Sequence, residues 1–380
     1  MKNPFETEER RAFRDTLRTF VAQEVTPFAN DWDEQGRVPW ELHEKAGNLG
    51  VFGFGIPEEF GGLGFDDAFM RAAWGEELAK CGAGGVGAAL GARSISIDPI
   101  VKFADPLIRD RVVPEIVSGR KGSSLGITEP SGGSDVANLQ TRAVRDGDGW
   151  RLTGSKTYIT GGMTSDYFII GARTGGSGLG GVSLFFVEWG ADGFSRTELD
   201  KKMGWWCSDQ ATLYFDNVFV PDTNMVGPEN MGFMAIMENF NLERVALVAG
   251  CLGAAKAVLE DAIDWARERQ TFGKPLIRHQ VIRHKLADMS MRIDALEAYL
   301  NQICWLINES EMPVAEISKA KVFATKTLEF CASEAMQILG GAGYMRGNRV
   351  ERIYREVKVM AIGGGSEEIM RDLAVRQMGL

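Results

Sequence analysis

The run Ile127-Thr128-Glu129-Pro130-Ser131-Gly132-Gly133-Ser134-Asp135 concentrates small polar residues in nine positions. Two adjacent glycines let backbone N–H groups come close to a ligand, and the hydroxyls of Thr128 and Ser134 can donate to it. A Ser/Gly-rich turn is more often only a turn, so this run alone establishes no site. Three further polar, glycine-containing segments stand at the ends of elements. Lys156-Thr157-Tyr158-Ile159-Thr160-Gly161-Gly162 reads as a strand that delivers an aromatic ring and a hydroxyl at alternate positions. Arg267-Glu268-Arg269-Gln270-Thr271-Phe272-Gly273 and Gln337-Ile338-Leu339-Gly340-Gly341-Ala342-Gly343-Tyr344 complete the set. Together the four segments could enclose one large polar cofactor, which none of them would establish singly.

The composition removes other chemistries. The net charge is −10 without a Lys/Arg block, so a nucleic-acid backbone would meet mostly repulsion, whereas a small anionic ligand needs only a local cluster of donors. The cysteines, Cys81, Cys207, Cys251, Cys304 and Cys331, are odd in number and contain no CxxC pair, and they read as reduced thiols in packing positions. His279 and His284 are five residues apart, on different faces of a helix, so no metal site is expected. The first ten residues are polar and charged, and no eighteen apolar residues run together. A signal peptide and membrane insertion are therefore not expected, and a cytoplasmic location is.

Three domains must position these segments. From Thr7 to about Lys121 the pattern is helical, broken by a turn at Gly61, Gly62 and Gly64, which assigns residues 1–122 to an α-helical domain. Short β-favouring runs follow: 150–152, 158–160, 167–170, 182–187 and 211–220. In the last, Ala211, Leu213 and Phe215 alternate with Thr212 and Tyr214, as a half-buried strand requires. A β domain is thus expected over residues 123–226. Over residues 227–380 the helical period returns. One stripe runs Ile282, Leu286, Met289, Ile293, Leu296, Leu300, Ile303, and a second runs Ile317, Ala320, Ala324, Leu328, Cys331, Ala335, Ile338. With helices over 245–267 and near 367–378 they make a four-helix bundle. The small residues of the second stripe suit either tight internal packing or a subunit interface.

In this order of domains, and in the pair TEPSGGSD and GSKTYITGG, the whole chain resembles the acyl-CoA dehydrogenase family. The resemblance implies a helical domain, a β-barrel and a four-helix bundle, with FAD as cofactor and an acyl-CoA as substrate. It places Ile127, Thr128, Gly133 and Ser134 along the flavin and the thioester end of the substrate, and Tyr158 and Thr160 on the flavin's other side. The family often has Trp where this chain has Tyr158, a departure that bears on flavin potential or electron exit. Arg269, Phe272, Gln280, Gln337 and Gly341 match positions that grip the FAD of a neighbouring subunit in a homotetramer or dimer, and Ser366 and Glu368 are likewise assigned to the cofactor. Arg269 suits a pyrophosphate because its planar fork makes paired charge-assisted bonds; the plainer reading is a solvated charge at a helix end.

Dehydrogenation of a thioester needs a carboxylate in a water-poor pocket and donors for the developing enolate oxygen. Many family members carry that glutamate near the C-terminus, where this chain has Gly364 within Gly363-Gly364-Gly365. A branch resembling the isovaleryl- and long-chain-type enzymes instead carries it before an arginine on the first bundle helix. Here that stretch is Asn241-Leu242-Glu243-Arg244, so Glu243 is the expected base. Gly364 leaves it room and keeps an N–H for the thioester oxygen, a donor of a kind worth about 3 kcal/mol in the transition state. Arg244 is expected to orient or polarise the base, and Ser134, Asn241, Arg244 and Gly363 to contact substrate. The plainer reading of Glu243 is a surface residue in a first helical turn, favoured there by the dipole, and Glu367 and Glu368 are rival bases. The triglycine run suits a bulky acyl group or simply a turn. Electron-transfer flavoprotein is the implied electron acceptor. The competing functions are an oxygen-using flavoenzyme on the same scaffold and a non-catalytic acyl-CoA or flavin binder.

Overall fold

The computed structural model describes residues 3–380, apart from the side chains of residues 179 and 237–239. The N-terminal helices are α1 (Glu8–Phe20), α2 (Ala29–Gln35), α3 (Trp40–Asn48), α4 (Ala68–Ala79), α5 (Gly84–Gly91), α6 (Ser94–Phe103) and α7 (Pro106–Val117). Short polar side chains start several of them by accepting backbone N–H groups that no earlier turn can use. Thr7 caps α1, Asp67 caps α4, and Asp105 caps α7 just ahead of a proline at the first helical position.

The middle segment folds as β1 (Ser123–Gly126), β2 (Arg142–Asp146), β3 (Gly149–Thr160), β4 (Tyr167–Arg173), β5 (Val182–Glu188), β6 (Phe194–Glu198), β7 (Gln210–Pro221) and β8 (Met225–Val226). The order is β6-β7-β3-β2-β4-β5-β8, with β1 parallel to β4. The expected barrel is not closed. Its two halves, β6-β7-β3-β2 and β1-β4-β5-β8, join through one residue pair, Arg142 with Arg173, and the edge strands β6 and β8 do not pair with each other. Closure needs a continuous stagger of hydrogen bonds around the ring, which a one-pair junction does not supply. The alternation expected in 211–220 holds only in part: Ala211, Leu213 and Phe215 are buried and Tyr214 is exposed, but Thr212 is buried too, its hydroxyl 3.1 Å from that of Thr157 on the neighbouring strand. The runs 150–152 and 158–160 belong to one strand, β3, interrupted by a register shift between Lys156 and Ile159.

The C-terminal helices are α8 (Gly232–Glu268), α9 (Gln280–Asn308), α10 (Val314–Leu339), α11 (Arg349–Ile362) and α12 (Glu367–Gln377). A two-strand hairpin, β9 (Gln270–Thr271) and β10 (Lys274–Pro275), joins α8 to α9. Both predicted stripes face the core; in α10 every stripe residue is buried within this one chain, against α8, α9, α11 and α12. Tight internal packing is thus what its small residues serve. Two features differ from expectation. The first helix begins at Gly232, not near residue 245, because Met231 supplies no side-chain cap and leaves no start signal in the sequence. A fifth helix, α11, was hidden because charged residues stand on its buried face: Arg352 and Glu356 lie beside Val350, Ile353 and Val357.

Glu356 explains that placement. Its carboxylate accepts Gly84 N–H of α5 at 2.8 Å and Trp205 N–H of the middle domain at 2.9 Å, so one side chain of α11 bridges all three domains. Burial, with Asp33 close by, pushes its pKa up to about 7.

Candidate active site

Glu243 lies eleven residues inside α8, not in a first turn, so the surface reading that depends on a helix start does not apply. Part of its side chain is reachable, but Oε2 is sealed from solvent and has no hydrogen-bond partner. Burial raises its pKa to about 7, against the opposing pull of Arg244 and Lys321. A carboxylate with an unshared oxygen, poised near neutrality in a dry site, has the properties of a general base. The rival glutamates lack them. Glu367 is bound by Lys326 at 3.0 Å and Arg371 at 3.1 Å, and Glu368 is exposed on the first turn of α12.

Gly364 stands opposite. A Cβ built on it would lie 3.8 Å from Glu243 Oε1 and 2.6 Å from Leu247 Cδ1, and its φ of +65° favours glycine independently. The turn that carries it is held from both helices beside it. Arg244 donates through Nε to Gly364 O at 3.1 Å and through Nη1 to Asn241 Oδ1 at 3.0 Å, while Lys321 Nζ donates to Gly363 O at 2.7 Å and also to Gly365 O. Ser366 caps α12 by accepting Ile369 N–H. The structure therefore groups Glu243, Arg244, Asn241, Gly363, Gly364, Ser366 and Glu368 at one end of the bundle.

The TEPSGGSD loop adjoins that end. Ile236 and Phe240, in the turns of α8 preceding Glu243, pack in one apolar cluster with Ile127 and Val136, which flank the loop. Glu129 anchors it: its carboxylate takes Lys156 Nζ at 2.7 Å, Thr141 N–H at 2.8 Å and Gln140 N–H at 2.6 Å, and both charged side chains are buried. Thr157 N–H then donates to Thr128 O at 2.9 Å, setting β3 beside the loop. Gly133 and Ser134 are exposed, and a Cβ on Gly133 would touch only Thr128 Cγ2, at 3.6 Å. Tyr158 sits at the β3 irregularity with φ +58° and its ring 70% exposed, and Thr160 Oγ1 exchanges a hydrogen bond with the Gln210 amide. An exposed ring on strained backbone beside an open glycine edge is a platform for a flat ligand, so these residues fit an isoalloxazine. Beyond Asp135 a cleft of about 450 Å³ runs past Gln140, Arg142 and Arg173.

The remaining candidates lie elsewhere. Arg269 is twenty-six residues along α8 from Glu243, about 39 Å of helix. With it are Phe272, 97% exposed at φ +50°, and Gln280 at the start of α9. An ion pair from Lys285 to Glu334 brings the end of α10, with Gln337 and Gly341, to that same distal end. The five residues thus form a second group that cannot meet Glu243 within one chain. Lys321 was not singled out from the sequence, although a lysine next to Ala320 and four residues after Ile317, on an apolar helix face, was its signal.

Comparisons with known proteins agree with this geometry. The family models described as Acyl-CoA dehydrogenase N-terminal, middle and C-terminal domain match residues 7–120, 124–218 and 230–379. An acyl-CoA dehydrogenase of Bacillus subtilis is 35% identical over 96% of this chain and 96% of its own. The mitochondrial long-chain specific acyl-CoA dehydrogenase of Rattus norvegicus is 33% identical over 97% of this chain and 86% of its own. Among solved structures, an acyl-CoA dehydrogenase from Geobacillus kaustophilus superposes with a TM-score of 0.95 at 31% identity, covering all of both chains.

Proposed function

The chain belongs to the acyl-CoA dehydrogenase family of FAD-dependent oxidoreductases, and from that premise we propose that Glu243 is the base that starts α,β-dehydrogenation of an acyl-CoA. The observation that carries this is the Glu243 carboxylate, whose Oε2 is sealed and unpartnered and whose Oε1 lies toward a wall reduced to glycine at 364.

Glu243 takes the α proton as the α C–H bond breaks, and that electron pair forms the new double bond as the β hydrogen departs with its own pair. Ile127, Thr128, Gly133, Ser134, Tyr158 and Thr160 would hold FAD, which would supply the acceptor for that hydrogen and its electrons. The N–H of Gly364 is the donor for the thioester oxygen as negative charge gathers there. Arg244, the residue next to the base in sequence, ties that turn to α8. Arg142, at the mouth of the 450 Å³ cleft, is suited to the phosphates of coenzyme A. Arg269, Phe272, Gln280, Gln337 and Gly341 serve the cofactor of a second subunit in a dimer or tetramer. An electron-transfer flavoprotein would be the acceptor that reoxidises the cofactor. Among the described residues no helix is long and apolar enough to cross a membrane.

Anaerobic flavin absorbance, followed during titration with straight, branched and aromatic acyl-CoAs, tests the assignment. Wild type should bleach with a rate that rises with pH through about 7, and Glu243→Gln should not. Equal bleaching in both moves the base elsewhere; none with any substrate leaves a binder of flavin and acyl-CoA.

A further inference from the structure

The turn Gly363-Gly364-Gly365 has no side chains with which to hold itself, and glycine loses more backbone freedom on ordering than any other residue. Yet all three of its carbonyls are held by cations. Lys321 reaches those of Gly363 and Gly365, and Arg244 reaches that of Gly364 between them. Lys321 is only 1% exposed. Among the described residues its ammonium donates to carbonyls alone and forms no ion pair, a costly way to bury a charge unless the charge is used.

The groups facing it can be named. From α8 come Glu243, Arg244 and Cys251, and from α12 Glu367. Burial pushes the Cys251 thiol up to about 12, so it is neutral. Glu367 is taken by Lys326 and Arg371, and Arg244 is a like charge. Glu243 is the carboxylate left for Lys321 to act on, and each lies in the other's field. Burial draws the Lys321 ammonium down to about 8, which leaves it charged at neutral pH.

We propose that Lys321 is a positioning residue for the reaction, one that fixes the glycine wall facing Glu243 and biases that carboxylate toward its ionised form. The inference rests on the assignment of Glu243 as base. It asks of Lys321 more than rigidity, because a purely structural lysine would be replaceable without any change in the titration of the base.

The test is the pH dependence of flavin bleaching by a saturating acyl-CoA in the FAD-loaded protein, for wild type, Lys321→Met, Lys321→Arg and Glu243→Gln. Losing an opposite charge raises a carboxyl pKa, so in Lys321→Met the acid limb should move up by roughly half a pH unit or more. The limiting rate should fall about tenfold as the Gly364 N–H loses its setting, less than the roughly hundredfold or more that follows outright removal of an oxyanion donor, with the half-saturating concentration changed less. Lys321→Arg should return the midpoint toward wild type. If Lys321→Met fails to fold, Lys321→Gln, which removes the charge and keeps a donor, is judged by the same midpoint. A folded, flavin-loaded neutral variant with an unmoved acid limb overturns the role of Lys321 while leaving Glu243 in place if Glu243→Gln is inactive. Undiminished bleaching by Glu243→Gln overturns both.

Discussion

Glu243 and Gly364 face each other: a methyl group built on Gly364 would come within 3.8 Å of Glu243 Oε1. The two residues are 121 positions apart in sequence, on α8 and on the turn before α12. Their proximity gives physical content to the pairing of a glycine on one wall with a carboxylate on the other. As the proposed base, Glu243 would need the space that the missing side chain leaves, and the wall needs a residue that accepts φ +65°.

Gly364→Ala tests that pairing directly. The added methyl meets Leu247 Cδ1 at 2.6 Å and sits on backbone that L-residues rarely adopt. A loss of roughly 1–2 kcal/mol in stability is expected from the strain. The bleaching rate with acyl-CoA should fall about tenfold or more, since a displacement near 1 Å at the reacting centre costs on that order. A melt combined with rapid-mixing absorbance checks both. An unchanged rate in a folded protein would mean that the space beside Oε1 is not used.

Glu243→Gln should make the protein more stable in alkali while removing activity. The folded pKa of about 7 lies above the ordinary value of 4.5, because burial disfavours the ionised form. Below about pH 4.5 both folded and unfolded chains are protonated and nothing is lost. As pH rises the unfolded chain ionises first, and stability drains away through about pH 7. The full cost is on the order of 3 kcal/mol at pH 8. Glutamine carries none of it. Melting temperatures of variant and wild type should coincide near pH 4.5 and separate by pH 8 in favour of the variant; a gap that does not depend on pH would show that Glu243 ionises freely.

The most conspicuous motif residues prove to be scaffolding. Glu129 and Lys156 form a buried pair that pins the flavin-side loop to β3. Glu129→Gln leaves the Lys156 ammonium buried without a counter-charge, which typically costs about 3–5 kcal/mol. Lys156→Met should cost less, because Glu129 keeps the N–H groups of Gln140 and Thr141. The double variant should be more stable than Glu129→Gln alone. Denaturant titration of the four proteins measures the coupling, and strictly additive losses would mean the pair is not a unit.

The order of domains was legible because each announces its period: 3.6 in the outer segments and 2 in 211–220, with stripes such as Ile282 to Ile303 repeating over many turns. The glutamate and glycine were legible because each departs from a pattern at one position. What stayed hidden was whatever tertiary contacts alone define. The start of α8 carries no cap. The buried charges of α11 are satisfied by residues hundreds of positions away, as Glu356 is by Gly84. The role of Lys321 is defined by carbonyls more than forty positions away, those of Gly363 and Gly365. The junction between β2 and β4 is one residue pair, and no strand pattern forecasts that the edge strands β6 and β8 stay unpaired.

Phe272 bears most directly on the proposed assembly. Its ring is 97% exposed, on left-handed backbone at φ +50°, with only an edge contact to His279 at 6.1 Å between centroids. A single chain gains nothing from an unpacked aromatic side chain on strained backbone; a partner that covers it would offset both costs. Arg269 is exposed three residues earlier, about 39 Å of helix from Glu243, too far to serve the same cleft. Phe272→Asp should therefore shift the protein toward smaller oligomers in light scattering and lower its flavin-to-protein absorbance ratio, with little change in far-ultraviolet circular dichroism. Arg269→Gln should keep the assembly and weaken flavin retention alone, because it removes a fork that suits a pyrophosphate and no packing. If both variants keep the wild-type mass and flavin content, the distal end of the bundle has no part in holding the cofactor, and each chain must bind its flavin unaided.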